Sequence, residues 1–196
     1  MTIHITTHDK KHKLSGFISL NTSPACNPFC QTMAKTETIC AHCYAINYEK
    51  RYKNLASCLA RNSSILSTAP LDLSTIADLE KTFRNYRAIR FNSFGELINQ
   101  QHLDNLFSIA NHFPTITFTL WTKRKNLDFT DCPDNTILIY SSPVINKQSS
   151  LPDHFHKVFT VYEKSFPIPR NCTGSCITCQ LCYTHNNITH ISETLR

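Results

Sequence analysis

NQQHLDNLFSIANHFPTITFTLWTKR, residues 99–124, contains the two element types from which the fold is read. Leu103, Leu106, Phe107 and Ala110 recur at helical spacing, so 99–112 is predicted as an amphipathic helix, with Pro114 just past its end. Residues 115–124 then change character. TITFTLWTKR is rich in β-branched and aromatic side chains and predicts the clearest strand in the chain. Toward the N-terminus, YRAIRFNSF (86–94) shows strand-like alternation. A helix capped by Asp72 or Ser74 and running through Leu79 and Phe83 precedes it. Before that, NLASCLARNSSILS (54–67) spaces Leu55, Leu59, Ile65 and Leu66 as a helix. Toward the C-terminus, TILIYS (136–141) and HFHKVFTVY (154–162) predict two more strands. The first fifty residues are polar and turn-rich, with Pro24, Pro28 and four cysteines.

Helices alternating with strands predict an α/β protein with a mostly parallel sheet. The 196 residues make one domain, 1–196, with cysteine-rich segments at 26–43 and 172–182. The units are too few for a complete eight-fold barrel of about 250 residues. A partial barrel or an open sheet is expected. A chain of this length buries about 70% of its surface on folding, so metals or disulfides are not needed merely to hold a core.

Composition removes several function classes. Three glycines in the whole chain leave no GxGxxG and no GxxxxGK[ST], which excludes the common glycine-rich phosphate cradles. No stretch approaches the ~18 apolar residues of a membrane helix, and MTIHITTHDKKHKLSG contains no apolar signal core. The expected location is therefore the cytoplasm, with no membrane partner. Ten cysteines in a reducing compartment point to metal or cluster ligation rather than a disulfide framework. The formal charge is +6. Two four-iron clusters with their thiolates, at about −2 each, would bring the balance to about +2. The basic excess is thus read first as cluster neutralisation, with a nucleic-acid partner as the less favoured alternative.

The densest signal is NCTGSCITCQLCY, which places Cys172, Cys176, Cys179 and Cys182 within eleven residues. Thiolates two and three residues apart on a tight turn can wrap one small object, and Gly174 eases the turn. The density resembles ferredoxin-type runs. Zinc sites more often combine two separated pairs. A [4Fe-4S] cluster is expected, with zinc as the alternative. The second set, ACNPFCQTMAKTETICAHCYA, offers Cys26, Cys30, Cys40 and Cys43. Three firm ligands from this set would leave one iron open to a small molecule. His42 is read as a solvent-facing turn residue, and Cys58 and Cys132 as small packed residues. Thr122, Lys123, Arg124 and Lys125 end the best strand as a basic turn, able to neutralise a cluster or hold an anion.

These motifs together resemble the phage "gene product eighty-eight" family over nearly the whole chain. ICAHCYA, then YEKRYKNLASCLARNSSIL, is similar to the family's C-x-x-C-Y-A, its basic-aromatic stretch and its Arg-x-Asn helix. AIRFNSFGEL, FPTITFTLWTKRKNL and CTGSCITCQLCYTHNNITH resemble its strand, its threonine-lysine strand end and its terminal cysteine cluster. The chain departs from the family in two places: Gly95-Glu96 replaces the usual Gly-Asp, and Asn92 stands at a common histidine position. The resemblance matches Cys26, Cys40 and Cys43 best and leaves Cys30 where spacing varies. A more distant resemblance is to radical S-adenosylmethionine enzymes, in which a three-cysteine cluster is followed by an acidic strand end that receives the methionine amine. It implies that Gly95 and Glu96 bind S-adenosylmethionine, although the cysteine spacing here is not the common CxxxCxxC. The expectation is an iron–sulfur protein carrying one or two [4Fe-4S] clusters, with a redox or radical role on an unidentified small molecule or redox partner. A zinc-stabilised, non-catalytic module binding nucleic acid or a host protein is the alternative.

Overall fold

A computed structural model describes residues 2–10 and 12–195. Its frame is a seven-stranded sheet whose spatial order is the chain order. Ile5–Thr7 (β1) pairs antiparallel with Ile18–Leu20 (β2). Every later pairing is parallel: β2 with Ala88–Phe91 (β3), then Thr117–Thr122 (β4), Thr136–Ser141 (β5), Lys157–Tyr162 (β6) and His190–Thr194 (β7). β1 and β7 remain the two edges, so the sheet is open and not closed into a barrel.

Alternation along the strands divides the core into two layers. Ile89, Phe91, Phe118, Leu120, Leu138, Tyr140 and Val158 face the helices. These helices are Lys53–Thr68 (α3), two short ones at Leu73–Ala77 (α4) and Glu80–Phe83 (α5), and Gln100–His112 (α6). Leu66, Ile76, Phe83, Leu103 and Leu106 supply their side of that layer. The opposite face carries Trp121, Ile137, Ile139, Phe159 and Ile191, covered by Leu14, Phe17 and the 176–183 segment. With both faces covered, β5 is buried at five of its six positions, which explains why TILIYS reads as a continuous apolar run.

The expected central elements are present within a few residues of their limits. Asp72 is the cap of α4, accepting from the Thr75 N–H at 2.6 Å. The single helix expected through Phe83 is split in two around Asp78 and Leu79. The strand expected over 86–94 stops at Phe91 because Asn92 adopts φ +60°. Gly95 and Glu96 therefore lie in a loop rather than at the strand end itself.

The first fifty residues differ most from expectation. They hold β1, β2, Pro28–Met33 (α1), a 3₁₀ turn at Ile39–His42 and Tyr44–Arg51 (α2). Cys176–Cys179 forms one helical turn (α7). No described helix is long and apolar enough to cross a membrane.

Candidate functional site

The C-terminal cysteines are held by the ends of a folded-back connection between β6 and β7. Cys172 donates its N–H to the Ser192 carbonyl on β7 (3.0 Å), and Cys176 donates its N–H to the Lys13 carbonyl (3.0 Å). α7 then carries Cys176 and Cys179 on one turn. Gln180 follows at φ +52° and reverses the chain, so that Cys182 and Tyr183 return to the sheet. Gly16, at φ +83°, lies so close to Ile177 that a Cβ would stand 2.8 Å from Cδ1. The N-terminal turn and α7 are thus fitted to each other.

All four cysteines line one cleft with Lys13, Arg90, Trp121, Phe159 and Tyr183. Its free space, open mouth included, is about 290 Å³. Arg90 leaves β3 on the face away from the helices, and its guanidinium lies 4.0 Å from the Trp121 ring centroid. The buried Arg90 Nε and Trp121 Nε1 have no acceptor among the described residues. Lys13 forms an ion pair with Glu193 and stands 5.7 Å over the Phe159 ring. Burial pushes the Cys182 thiol up to about 12 and raises Cys172 and Cys176; Arg90 and Lys13 oppose the shift at Cys176 and Cys182. The cleft combines four sulfurs, two cations and two buried N–H groups. Among the described residues no three of these sulfurs are grouped to hold a metal ion.

The N-terminal set crosses the carboxyl ends of the strands. Asn27 caps α1 by accepting from the Phe29 N–H (3.0 Å), which puts Cys30 one turn inside the helix. Thr38 caps the 3₁₀ turn through the Cys40 N–H (3.3 Å). The Ile39 N–H donates to the Pro143 carbonyl beyond β5 (3.0 Å), and Cys43 begins α2. Burial raises the Cys30 thiol most, with Glu96, Cys43 and Cys40 adding to the effect and Lys123 opposing it. Cys40 is raised by burial, with Lys123 opposing. Cys40, Cys43, Glu96 and Lys123 thus lie near enough to Cys30 to act on it electrostatically. Cys26 is exposed and is not among the charges acting on Cys30 or Cys40. Among the described residues, no three His, Cys, Asp or Glu side chains are grouped to hold a metal ion.

Glu96 is buried and held by its own chain. Oε1 accepts from the Leu97 N–H (2.8 Å) and the Thr122 hydroxyl (2.5 Å), and Oε2 accepts from the Lys123 N–H (2.7 Å). Burial raises its pKa, and the Lys123 charge is the strongest opposing influence. The Lys123 ammonium itself donates to Ser141 Oγ at 3.1 Å. Gly95, at φ +80°, passes so close to Thr22 that a Cβ would stand 2.4 Å from the Thr22 carbonyl oxygen. Asn21 Oδ1 accepts from the Ser93 and Phe94 N–H groups (2.9 and 3.0 Å), and Asn27 Nδ2 donates to the Glu96 carbonyl (2.9 Å). The Arg124 guanidinium donates to the Ile98 carbonyl at 2.6 Å.

Several of these groups were not anticipated as site residues. Arg90 carried a signal, as a charge at an inward-alternating position of AIRF. Asn21 and Asn27 carried none, because their partners are about seventy residues away.

Tyr44 links the two cysteine sets. Its ring is 56% exposed while its hydroxyl turns inward and donates to the Ser93 carbonyl (2.6 Å). Burial raises that phenol, with Arg90 opposing and Cys43 adding to the effect. Arg90 in turn acts on Cys176 and Cys182. His42 is exposed. The Cys132 thiol donates to the Pro133 and Thr136 carbonyls at 3.7 Å, and Cys58 is half-buried on α3.

No curated protein and no solved structure matches the chain. The family model described as Gene product 88 matches residues 4–173, a span that contains the N-terminal cysteines, Glu96, Lys123 and Cys172, and stops short of Cys176, Cys179 and Cys182. On that match over most of its length, the chain belongs to the Gene product 88 family.

Proposed function

We propose that the chain is an iron–sulfur protein whose role is redox, with Cys172, Cys176, Cys179 and Cys182 holding a [4Fe-4S] cluster. The observation that carries this reading is the cleft in which those four sulfurs meet Lys13, Arg90 and the acceptorless N–H groups of Arg90 and Trp121. A four-iron cluster with four thiolates carries about −2 and accepts hydrogen bonds at its sulfurs. Arg90 would offset part of that charge, Lys13 being already paired with Glu193, and the two N–H groups would find acceptors they otherwise lack. When bound, such a cluster supplies one-electron transfer. Arg90 would then favour its more reduced, more negative state.

Cys30, Cys40 and Cys43 are the corresponding ligands proposed for a second cluster, with Cys26 as the residue that would have to swing in to close it. Tyr44 and Arg90 lie between the two sets, which supports a pair of centres working together. An open iron in the second cluster is where S-adenosylmethionine would coordinate under the radical reading. Glu96 already accepts three hydrogen bonds from its own chain, which favours the redox reading over the radical one.

The test is anaerobic purification with iron, acid-labile sulfide and zinc analysis. A brown protein with a broad shoulder near ~400 nm and matched iron and sulfide supports the proposal. Stoichiometric zinc without sulfide overturns it in favour of a zinc-stabilised binding module. Paramagnetic resonance of the reduced protein, titrated with S-adenosylmethionine, separates the two roles. An unchanged spectrum leaves the redox reading, and a shifted one replaces it with the radical reading.

A further inference from the structure

Tyr44 and Tyr48 lie one turn apart on α2, about 6 Å along its axis, and Tyr52 follows four residues later as its C-cap. They are 56%, 47% and 46% exposed, the most exposed tyrosines described as such, although large aromatic rings are ordinarily buried. They are also ordered against one another. Tyr44 meets Tyr48 edge-on at 6.5 Å, and Tyr48 meets Tyr52 at 5.6 Å. Phe94, from the loop after β3, packs behind Tyr44 and Tyr48 at 5.4 and 5.7 Å. The Arg51 guanidinium lies 5.4 Å from the Tyr52 ring centroid.

Between residues 38 and 71 the exposed cations are Lys50, Arg51, Lys53 and Arg61, of which Arg51 stands against the Tyr52 ring and Arg61 acts on His4. The single acid in that span is Glu49, which is buried and accepts from the Ala25 N–H at 3.2 Å. Neither cysteine cleft uses the rings of Tyr48 and Tyr52, so the iron–sulfur reading does not account for them.

We propose that this tyrosine ladder binds single-stranded nucleic acid, with bases stacking on the rings and phosphates meeting Lys50, Arg51 and Lys53. A row of π-faces at regular spacing, with Arg51 against the last ring and Lys50 and Lys53 next to it in the chain, matches a flexible polyanion that presents one flat ring per repeat. A protein partner would call instead for a central pocket ringed by neutral contacts, and this face is a row rather than a pocket. Duplex nucleic acid hides its ring faces within the stack, so it would meet only the cations. Phe94 holds the rings in place, so little side-chain freedom is lost when a strand binds.

The test is fluorescence anisotropy of a labelled oligothymidylate with the full chain as purified, over a salt series. The double variant Tyr48→Ala/Tyr52→Ala should weaken binding by about tenfold or more. Tyr48→Phe/Tyr52→Phe should restore it, because the ring and not the hydroxyl carries the stacking. Lys50→Gln/Arg51→Gln should weaken binding and flatten the salt dependence by about two counterions. The phenylalanine pair should melt as wild type does, the alanine pair loses half-buried ring contacts and should melt somewhat lower, and binding is therefore compared at a temperature where every variant is folded. Tyr48→Ala/Tyr52→Ala should keep the wild-type iron, sulfide and zinc content per chain, so loss of oligonucleotide binding is read separately from failure of the iron–sulfur reading. Three results would overturn the proposal: no binding at low salt, equal affinity for duplex of the same length, or unaltered affinity in the alanine pair. A dimer in sedimentation that the alanine pair abolishes would overturn it too, assigning the face to a second copy of the chain.

Discussion

Gly95 and Glu96 show how much a single residue can be asked to do in this loop. At φ +80°, with the Thr22 carbonyl 2.4 Å from where a Cβ would stand, Gly95 has two independent reasons to be glycine. The obstacle is backbone, which cannot rotate aside. Gly95→Ala should lower stability by at least about 2 kcal/mol, from left-handed strain together with the overlap, read as a drop in the denaturant midpoint. The missing side chain thus admits the chain's own β2 exit, where the sequence alone suggested room for a ligand. Glu96 repeats the lesson in electrostatics. Its two oxygens face three donors, two of them main-chain N–H groups. Glu96→Gln forces an NH₂ against one of those donors and should cost about 1–3 kcal/mol in protein with no small molecule added. If the variant melts as wild type does, the carboxylate is held for a ligand and not for the fold.

Among the elements, the two cysteine segments were legible to different degrees, and local geometry explains the difference. In 172–182 one helical turn plus a left-handed Gln180 brings the four cysteines to the lining of one cleft, without grouping any three of them as for a metal ion. In 26–43 the family resemblance matched Cys26, Cys40 and Cys43 best. In the structure Cys30 is the cysteine of the first pair on which Cys40 and Cys43 act, while Cys26 is exposed ahead of the Asn27 cap of α1, and among the described residues no three of the four are grouped as for a metal ion. The two segments yield paired expectations. Cys30→Ala should lose more iron from the N-terminal centre than Cys26→Ala, measured as iron per chain after anaerobic reconstitution. At the other segment, Cys179→Ala or Cys182→Ala should remove much of one centre and reduce soluble yield, since metal binding is coupled to folding. Cys58→Ala and Cys132→Ser should retain the full metal content. Cys132 already spends its thiol on two carbonyls of its own turn and lies outside both cysteine segments.

For the molecule as a whole, the parallel core was readable because β4, β5 and β6 are six-residue apolar strands with their own composition signal. β1 and β2 were not, because three residues carry no usable period and their identity rests on partners distant in sequence: Ile18 with Ile89, Leu20 with Phe91. The same long-range assembly buries histidines that the sequence leaves unremarked. His102, fully enclosed in α6, accepts from the Ile98 N–H at 3.2 Å and is pushed down to about 3, first by burial and then by Arg124. His8, stacked on His12 at 4.6 Å, is pushed down to about 4 by burial, then by His12 and Arg90. In the unfolded chain both titrate near 6.5. Between about pH 6.5 and 4 the unfolded state therefore binds protons that the folded state refuses. Stability is full above the unfolded value and falls as the pH drops through that window, with a slope up to about 1.4 kcal/mol per pH unit for His102 and less for the half-exposed His8. His102→Gln keeps an acceptor for the Ile98 N–H but cannot titrate. Melting curves from pH 7 to 4 should fall steeply for wild type and less steeply for this variant. Acid release from cysteine ligands would act on both proteins alike, so the difference between the two slopes isolates His102. Parallel slopes would mean that His102 takes up its proton in the folded state, and that the loop it anchors at Ile98 opens before the protein unfolds.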